Sequence, residues 1–403
     1  MWINRDLSYI FANGAQLESI LVQGPRQVGK SSFLEYYAPG KPRLVVLDDL
    51  ALRELADRDP ALFLSQHPEP VIIDEFNYAP NLLPEIKRRI DSMRRKRRLE
   101  DEQGAKVDPV FFLSGSNQIA IDMAIKESLA GRISIFTLCG LSVAEILAAY
   151  STMSLWECLW RGGFPELYVR SDLSPVSYLN DYITTFVEKD IARSAGVSKL
   201  DEFLTVTRLL AARVGSIVNW ESLANDAGVA SKTVGEWSDI LRRAHILYVL
   251  QPFSSNLNSR LIKSPKIYFI DSGLASRLQG HLSRDSMASS PQVGALFENL
   301  VVSELMKTRA YRGLSYELSF WRTRAGEEVD VVISWPGKVL LVEIKLAIQG
   351  DVRFTPPRSA LNEFGSDVES IVVTFGGEQG LISPHTTRVP LANLADFVTN
   401  KSR

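Results

Sequence analysis

Eight residues, Gly24-Pro25-Arg26-Gln27-Val28-Gly29-Lys30-Ser31, have the spacing G-x-x-x-x-G-K-[ST] between an apolar run, SILVQ, and a helical one, SFLEYY. Glycines at these points let backbone N–H groups wrap a β-phosphate, while the following helix aims its positive N-terminus at the same anion. On this reading Lys30 reaches the β- and γ-phosphates of ATP, Ser31 ligates Mg²⁺, and Ser32 lies in the same cradle. The alternative is a chance glycine turn before a helix. A second run, Val71-Ile72-Ile73-Asp74-Glu75, reads as a buried strand ending in adjacent carboxylates. Asp74 is placed to hold the Mg²⁺, and Glu75 to orient or deprotonate the attacking water. An acidic loop after a core strand is the plainer alternative.

Two further positions belong to the same chemistry. Ser114, in Ser114-Gly115-Ser116-Asn117, offers a short polar group where a strand would meet the γ-phosphate, although small residues also suit an ordinary turn. Arg132, in SLAGRI, stands where an arginine finger would be supplied to a neighbouring subunit's nucleotide, stabilising charge on the transferred phosphoryl group. That role requires an oligomer, a hexameric ring being one form. A surface ion pair is the competing role for Arg132.

Lys87 to Arg98 reads KRRIDSMRRKRR and carries eight cations, among them Arg94, Arg95, Lys96, Arg97 and Arg98. Such a density fits a polyanion contact, or a solvated helical face balanced by the following LEDE. Between Asn219 and Gln251 the order is helix, glycine turn at Gly228, helix, strand, as in a winged helix. Trp220, Leu223, Ala224, Val234, Trp237, Ile240 and Leu241 form its inner face. Lys232, Thr233 and Glu236 then start the exposed recognition helix, placed for a DNA groove or backbone. Winged helices also serve as protein-contact modules.

Near the C-terminus, Glu327-Glu328-Val329-Asp330 opens one strand and Val342-Glu343-Ile344-Lys345 ends the next. Asp330 and Glu343 could converge on a second divalent metal, with Lys345 steadying the attacking hydroxide and Glu298, on the preceding helix, adding a ligand. An alternating solvated hairpin face gives the same pattern.

These residues need a scaffold, and the sequence describes one. Short β-branched runs from Ser19, Arg43, Val71, Val110 and Ile133 alternate with helical stretches, as in an α/β domain with a buried parallel sheet over residues 1–150. Ser142 and Glu145 have capping-box spacing ahead of a helix that leaves this domain. Residues 151–255 read as a helical region holding the helix-turn-helix, and 256–403 as a linker and a second α/β unit with a helix near Leu296 to Lys307. The 45 basic and 47 acidic residues leave a formal charge of −2, so any nucleic-acid surface is local. Two isolated cysteines, Cys139 and Cys158, exclude a disulfide framework and fit a reducing cytoplasm. No signal peptide and no apolar run of spanning length is expected.

Together, GPRQVGKS, VIIDEF, FFLSGSNQ, SLAGRISIF, the GGFPE at Gly162, the TFVEKDI at Thr185, KSPKIYFIDSGLA from Lys263 and the FEN/EEVD/VEIK set resemble the AAA-family ATPases that carry a C-terminal domain of unknown function numbered 4143. The resemblance spans nearly the whole chain. It implies an AAA+ core, a winged-helix middle and a C-terminal fold similar to PD-(D/E)xK nucleases. Two departures are visible: a long basic insertion follows Ile90, and Val329 rather than proline precedes Asp330. The expectation is a Mg²⁺-dependent ATP hydrolase that remodels DNA, including branched DNA, as a ring. The competing expectations are an ATP-gated switch that binds a protein partner or promoter, and an ATP-licensed nuclease.

Overall fold

A computed structural model describes residues 2–14, 17–100, 108–115, 129–191, 196–253 and 264–402. Ser116, Asn117, Ser128 and Lys263, and positions 254–263 of the expected linker, lie outside the described residues. The chain divides into two compact units, Arg5–Cys139 and Met1–Asn4 with Gly140–Arg403.

The first unit is a five-stranded parallel sheet of β1 (Ser19–Gln23), β2 (Arg43–Val46), β3 (Val71–Asp74), β4 (Phe111–Ser114) and β5 (Ile133–Thr137), in the order β2-β3-β4-β1-β5. All pairings are parallel, with Ser19 beside both Phe111 and Ile133, and Val71 beside both Arg43 and Phe111. The five apolar runs form strands because each is short and β-branched or aromatic; β1, β3 and β4 are buried on both faces, while the outer strands β2 and β5 are only partly buried. Leu21, Ile73, Phe111 and Leu113 meet Phe63, Ile86 and Ile90 of the flanking helices in one core. This order puts the carboxyl ends of β1, β3 and β4 side by side, which is where ligands sit in open α/β sheets.

In the second unit a helical region leads into a six-stranded mixed sheet. The expected capping box is present: Ser142 Oγ accepts from Glu145 N at 3.1 Å and Glu145 Oε2 from Ser142 N at 2.8 Å, starting the helix Val143–Ala149. TFVEKDI falls on a π-helical turn, Ile183–Ile191. The helix Trp220–Ala227 starts at Asn219, whose side chain accepts from Ser222 N, and stops at Gly228 in the left-handed region. The helix Ser231–Arg243 buries Val234, Trp237 and Leu241, and a ribbon of β6 (Leu247–Leu250) and β7 (Lys266–Phe269) follows. Ile217, ahead of the first helix, bridges Lys266 of β7.

The C-terminal sheet has the order β12-β13-β11-β10-β9-β8, built from β8 (Glu317–Arg322), β9 (Glu328–Trp335), β10 (Lys338–Lys345), β11 (Glu369–Thr374), β12 (Gly380–Ser383) and β13 (Thr386–Pro390). It packs on the helix Val293–Arg312, which is buried along most of its 20 residues, as a helix apolar on nearly every side must be. The helical region and this sheet, which sequence pattern divides at 255, share one hydrophobic core. Their joining begins at the ribbon's own edge: Phe253 N donates to Phe320 O at 2.6 Å and Phe320 N to Gln251 O at 3.1 Å, so the chain after β6 pairs alongside β8 in a parallel bridge.

Candidate functional site

The helix Lys30–Tyr37 starts directly after Gly29, which has φ 85° and so turns the chain as a Cβ-bearing residue rarely does. Gly24 has a second reason to be glycine, since a Cβ there would stand 2.0 Å from Leu138 O. Between them, Pro25 and Val28 are buried, Arg26 is half-buried, and Gln27 is exposed with φ 61°. Lys30 is buried and folds back into the loop, donating from Nζ to Gly24 O at 3.1 Å and Pro25 O at 2.8 Å. Burial pulls its ammonium down to about 8, against Glu75 and Asp74, which favour the charged form. Ser32 is exposed on the same first turn.

At the end of β3, Asp74 accepts on one oxygen from Ser31 Oγ at 2.6 Å and on the other from Ser114 Oγ at 2.5 Å. Ser114, which ends β4, is fully buried. The parallel register thus brings together residues 43 and 40 positions apart in sequence. Glu75 follows with φ 52°, so the chain turns sharply after the strand and starts the short helix Phe76–Tyr78. A hydroxyl and a carboxylate oxygen 2.6 Å apart are the hard donors that Mg²⁺ takes, and Lys30 now spends its donors on carbonyls where a phosphate would sit. The residues fit a Mg²⁺-nucleotide.

One residue of this edge has no sequence signal. Arg5 is buried, donating from Nη1 to Val28 O at 3.0 Å and from Nη2 to Cys139 O at 2.7 Å. It ties the phosphate loop to the end of β5.

Arg132 sits at the amino end of β5, the opposite edge of the sheet from the Lys30 loop. It forms a fork with Asp91, Nε to Oδ1 at 2.7 Å and Nη2 to Oδ2 at 3.2 Å. From that edge it does not reach its own chain's cradle.

The basic run lies on the helix Leu82–Leu99, and at least five of its eight cations pair with carboxylates within the unit. Arg94 and Arg97 hold Glu18, which is 2% exposed, at 2.6 Å each. Burial opposes the charge on Glu18, but these bonds keep its carboxyl below the ordinary value. Arg88 and Arg89 pair with Glu85, and Arg89 with Glu69. Lys96 approaches Glu100 at 3.8 Å, and Arg98 Nε donates to Arg94 O. Among the described residues the balancing acids are Glu18, Glu69, Glu85 and Glu100; Asp101 and Glu102 of LEDE lie outside the described residues. On the helix Ser231–Arg243, Lys232 is exposed, pairing loosely with Glu236 at 3.7 Å, and Thr233 is half-buried beside it.

The four C-terminal residues come together with four that sequence reasoning did not assign to the site, Lys266, Tyr268, Arg322 and Glu328. Lys266, 3% exposed at its side chain, reaches Glu298 Oε1 at 3.1 Å and Glu328 Oε1 at 2.5 Å. Tyr268 OH donates to Glu298 Oε1 at 2.5 Å, and Arg322 takes the other oxygen of Glu328 at 2.7 Å. Asp330 Oδ2 accepts from Ile344 N at 2.8 Å, while Lys345 pairs with Glu343 at 3.1 Å. Burial raises the Asp330 carboxyl to about 7, with Glu298 and Glu343 adding repulsion. Among the described residues no group of three or more His, Cys, Asp and Glu side chains is arranged to hold a metal ion. The expected second metal therefore does not fit this cluster, because an ammonium stands among its ligands.

Comparison with known proteins accords with this division. Residues 16–147 match the AAA domain family, 152–285 a domain of unknown function (DUF8612), and 293–394 another (DUF4143). The chain thus carries an AAA domain and a C-terminal DUF4143 domain. An uncharacterized protein of Mycobacterium tuberculosis is 29% identical to this AAA-family chain over 328 residues, 81% of this chain and 70% of that protein, and one of Mycobacterium bovis gives the same figures. Among solved structures, the ORC2 protein of Aeropyrum pernix in ADPNP–ADP complexes is 14% identical, covering 75% of this chain and 92% of that one at a TM-score of 0.34. A STAND ATPase with a tetratricopeptide-repeat sensor from Pyrococcus horikoshii is 13% identical, covering 77% and 47% at a TM-score of 0.22. Among the described residues no helix of this AAA-family chain is long and apolar enough to cross a membrane.

Proposed function

We propose that the chain hydrolyses ATP with Mg²⁺ at the carboxyl edge of β1, β3 and β4, and couples that reaction to DNA within an oligomer. The observation that carries this reading is the Asp74 carboxylate, bonded at once to Ser31 of the phosphate loop and to buried Ser114. Ser31 and Asp74 would hold the metal, which when bound neutralises charge on the phosphates. Lys30 exchanges its carbonyl partners for the β- and γ-phosphate oxygens, with the loop from Gly24 to Ser32 closed around them. Glu75, one residue beyond Asp74, takes or orients the proton of the attacking water, and Ser114 reports the γ-phosphate to Asp74. Arg132 acts on a neighbouring subunit's nucleotide, since its own lies across the sheet.

The coupling to DNA rests on the middle region rather than on the basic helix, at least five of whose eight cations are spent internally. Helix, turn, helix and ribbon, with Ile217 bridging β7, follow the winged-helix order. Lys232 and Thr233 open the second helix towards a DNA backbone, and Arg95, on the basic helix, is exposed beside Lys96 and Arg98. Purified chain should hydrolyse ATP faster with duplex, single-stranded or four-way DNA at fixed low salt, and Lys232→Glu should weaken the stimulation. Equal rates with and without every DNA, and no binding at low salt, would leave the ATPase standing and remove the DNA reading. Loss of all turnover in Lys30→Ala tests the ATPase itself.

A further inference from the structure

The C-terminal cluster gathers four carboxylates, Glu298, Glu328, Asp330 and Glu343, yet its centre is filled from the ribbon. Lys266 leaves β7 and puts Nζ between Glu298 and Glu328, above the Phe320 ring at 5.6 Å. An ammonium has three donors and no acceptor, so two are spent on these carboxylates while Tyr268 adds a neutral donor to the same Glu298 oxygen. Divalent metals bind carboxylate oxygens at roughly 2.0–2.6 Å, so an ion bridging Glu298 Oε1 and Glu328 Oε1 would coincide with Nζ. The remaining ligands are also engaged: Asp330 with Ile344 N, Glu343 with Lys345, and the far oxygen of Glu328 with Arg322.

We propose that the Lys266 ammonium is the resident cation of this cluster, standing where a nuclease-like fold would keep a metal, so that the carboxylates fasten the β6–β7 ribbon to the C-terminal sheet. The geometry supports that mechanical role. Lys266 pairs through its backbone with Leu250 of β6 and bridges Ile217, while its side chain ends on Glu298 of the long helix and Glu328 of β9. One side chain therefore pins three elements. A buried ammonium is costly unless opposed by charge, and buried carboxylates are costly for the same reason, so each holds the other in place. The cluster is then a fastening between the region that carries the helix-turn-helix and the sheet behind it, and this fold cleaves nothing by metal-activated water.

The test uses the full chain carrying Asp74→Asn, which removes the nucleotide-site metal ligand, and titrates Mn²⁺ by calorimetry and electron paramagnetic resonance. The expected result is no Mn²⁺ site tighter than about 1 mM, equivalent to about −4 kcal/mol. Adding Lys266→Ala should lower the melting temperature and create one Mn²⁺ equivalent at least about tenfold tighter, with Mn²⁺ restoring part of the lost melting temperature. Asp330→Asn should remove that new site. Lys266→Gln, which keeps a hydrogen-bonding side chain, serves if the alanine variant does not fold, and should gain the same site. Two outcomes overturn the proposal. One is a Mn²⁺ site in the Lys266-bearing chain that Asp330→Asn abolishes, a result that needs no Lys266 variant. The other is a folded Lys266 variant that gains no Mn²⁺ site.

Discussion

Arg5 offers a sharp test of how the phosphate loop is held. The residue is 5% exposed, and its guanidinium donates to Val28 O and Cys139 O at 3.0 and 2.7 Å. Arg5→Met keeps much of the side-chain volume and removes these two hydrogen bonds to backbone carbonyls. Hydrogen bonds from a charged group contribute about 1.5–3 kcal/mol each, so the loss should be about 3–6 kcal/mol. Against a domain stability of roughly 5–15 kcal/mol this is a large share. Nucleotide affinity should fall too, because Val28 O orients the loop between Gly24 and Lys30.

A chain of two units calls for a local probe rather than one global transition. No tryptophan lies between Arg5 and Cys139, so tryptophan fluorescence would report on the wrong unit. Native-state hydrogen exchange read by peptide mass spectrometry separates them. Peptides covering Ser19–Gln23 and Phe111–Ser114 should lose about 100-fold in protection, the lower end of the expected loss, while peptides of β9 and β10 stay unchanged. Arg5→Lys, keeping one donor's reach, should fall between. Protection in β1 and β4 within about threefold of wild type would refute the reasoning, showing that Val28 O and Cys139 O find other donors once Arg5 is gone.

Other outcomes follow from the same geometry. Because burial lowers Lys30 to about 8 in the free chain and phosphate oxygens favour its charged form, ATP binding near pH 8 should take up protons. Calorimetry in buffers of different ionisation enthalpy reads that uptake, and its absence in wild type would remove Lys30 as the phosphate contact. Glu75→Gln should bind ATP and lose turnover, Arg132→Ala should do the same, and mixing the two should restore activity if the finger acts between subunits; a mixture as dead as its parts would confine Arg132 to its bond with Asp91. At Asp330, burial raises the carboxyl from its ordinary 3.8 to about 7, so the folded chain holds a proton that the unfolded chain has released. Stability from this group is therefore full below about pH 4 and lost as pH climbs through 7. Relative to wild type, Asp330→Asn should grow more stable from pH 5 to 8 in urea titrations; a flat difference would contradict the shift.

What was legible in the sequence is what a short stretch determines. The Lys30 loop, the Asp74 edge, the five parallel strands and the Ser142 cap each depend on a few neighbouring residues, and their spacing carries the geometry. Ser114 was legible because a strand end is a place in a topology, not a contact to be guessed. Long-range choices were not. The basic run announced its charge, but its partner Glu18 lies 76 and 79 residues away, and nothing local distinguishes an arginine awaiting DNA from one already paired. Arg5 reaches a carbonyl 134 residues on. Asp330 and Glu343 were visible as an acidic hairpin, while nothing near Lys266 in the sequence pointed to its pairing with Glu298 and Glu328, 32 and 62 residues on. The strand β12 went unread because an exposed edge strand carries little of the alternation that marks a buried one, and β13, inside the sheet, because Thr386, Thr387, Arg388 and Pro390 break any apolar run.

GGFPE and IDSGLA meet each other in the structure, and packing accounts for their residue types. Asp271, capping the helix Ser272–Leu278, accepts from Leu274 N at 2.9 Å and from Gly163 N at 2.7 Å. Burial pushes its carboxyl up, and those N–H groups pull it back. A Cβ on Gly162 would stand 2.1 Å from Asp271 Oδ1, so only glycine lets the two segments meet. Leu141 N then donates to Gly163 O, Lys307 Nζ to Leu141 O, Tyr311 OH to Gly140 O, and Val143 N to Glu304 Oε2. The backbone from Gly140 to Val143 is thus pinned within its own unit by one helix's buried Glu304, Lys307 and Tyr311. On the other side of Cys139, Arg5 does the same within the nucleotide unit. Each unit fixes its own end of the chain where the sheet is left, which requires buried polar groups at set positions.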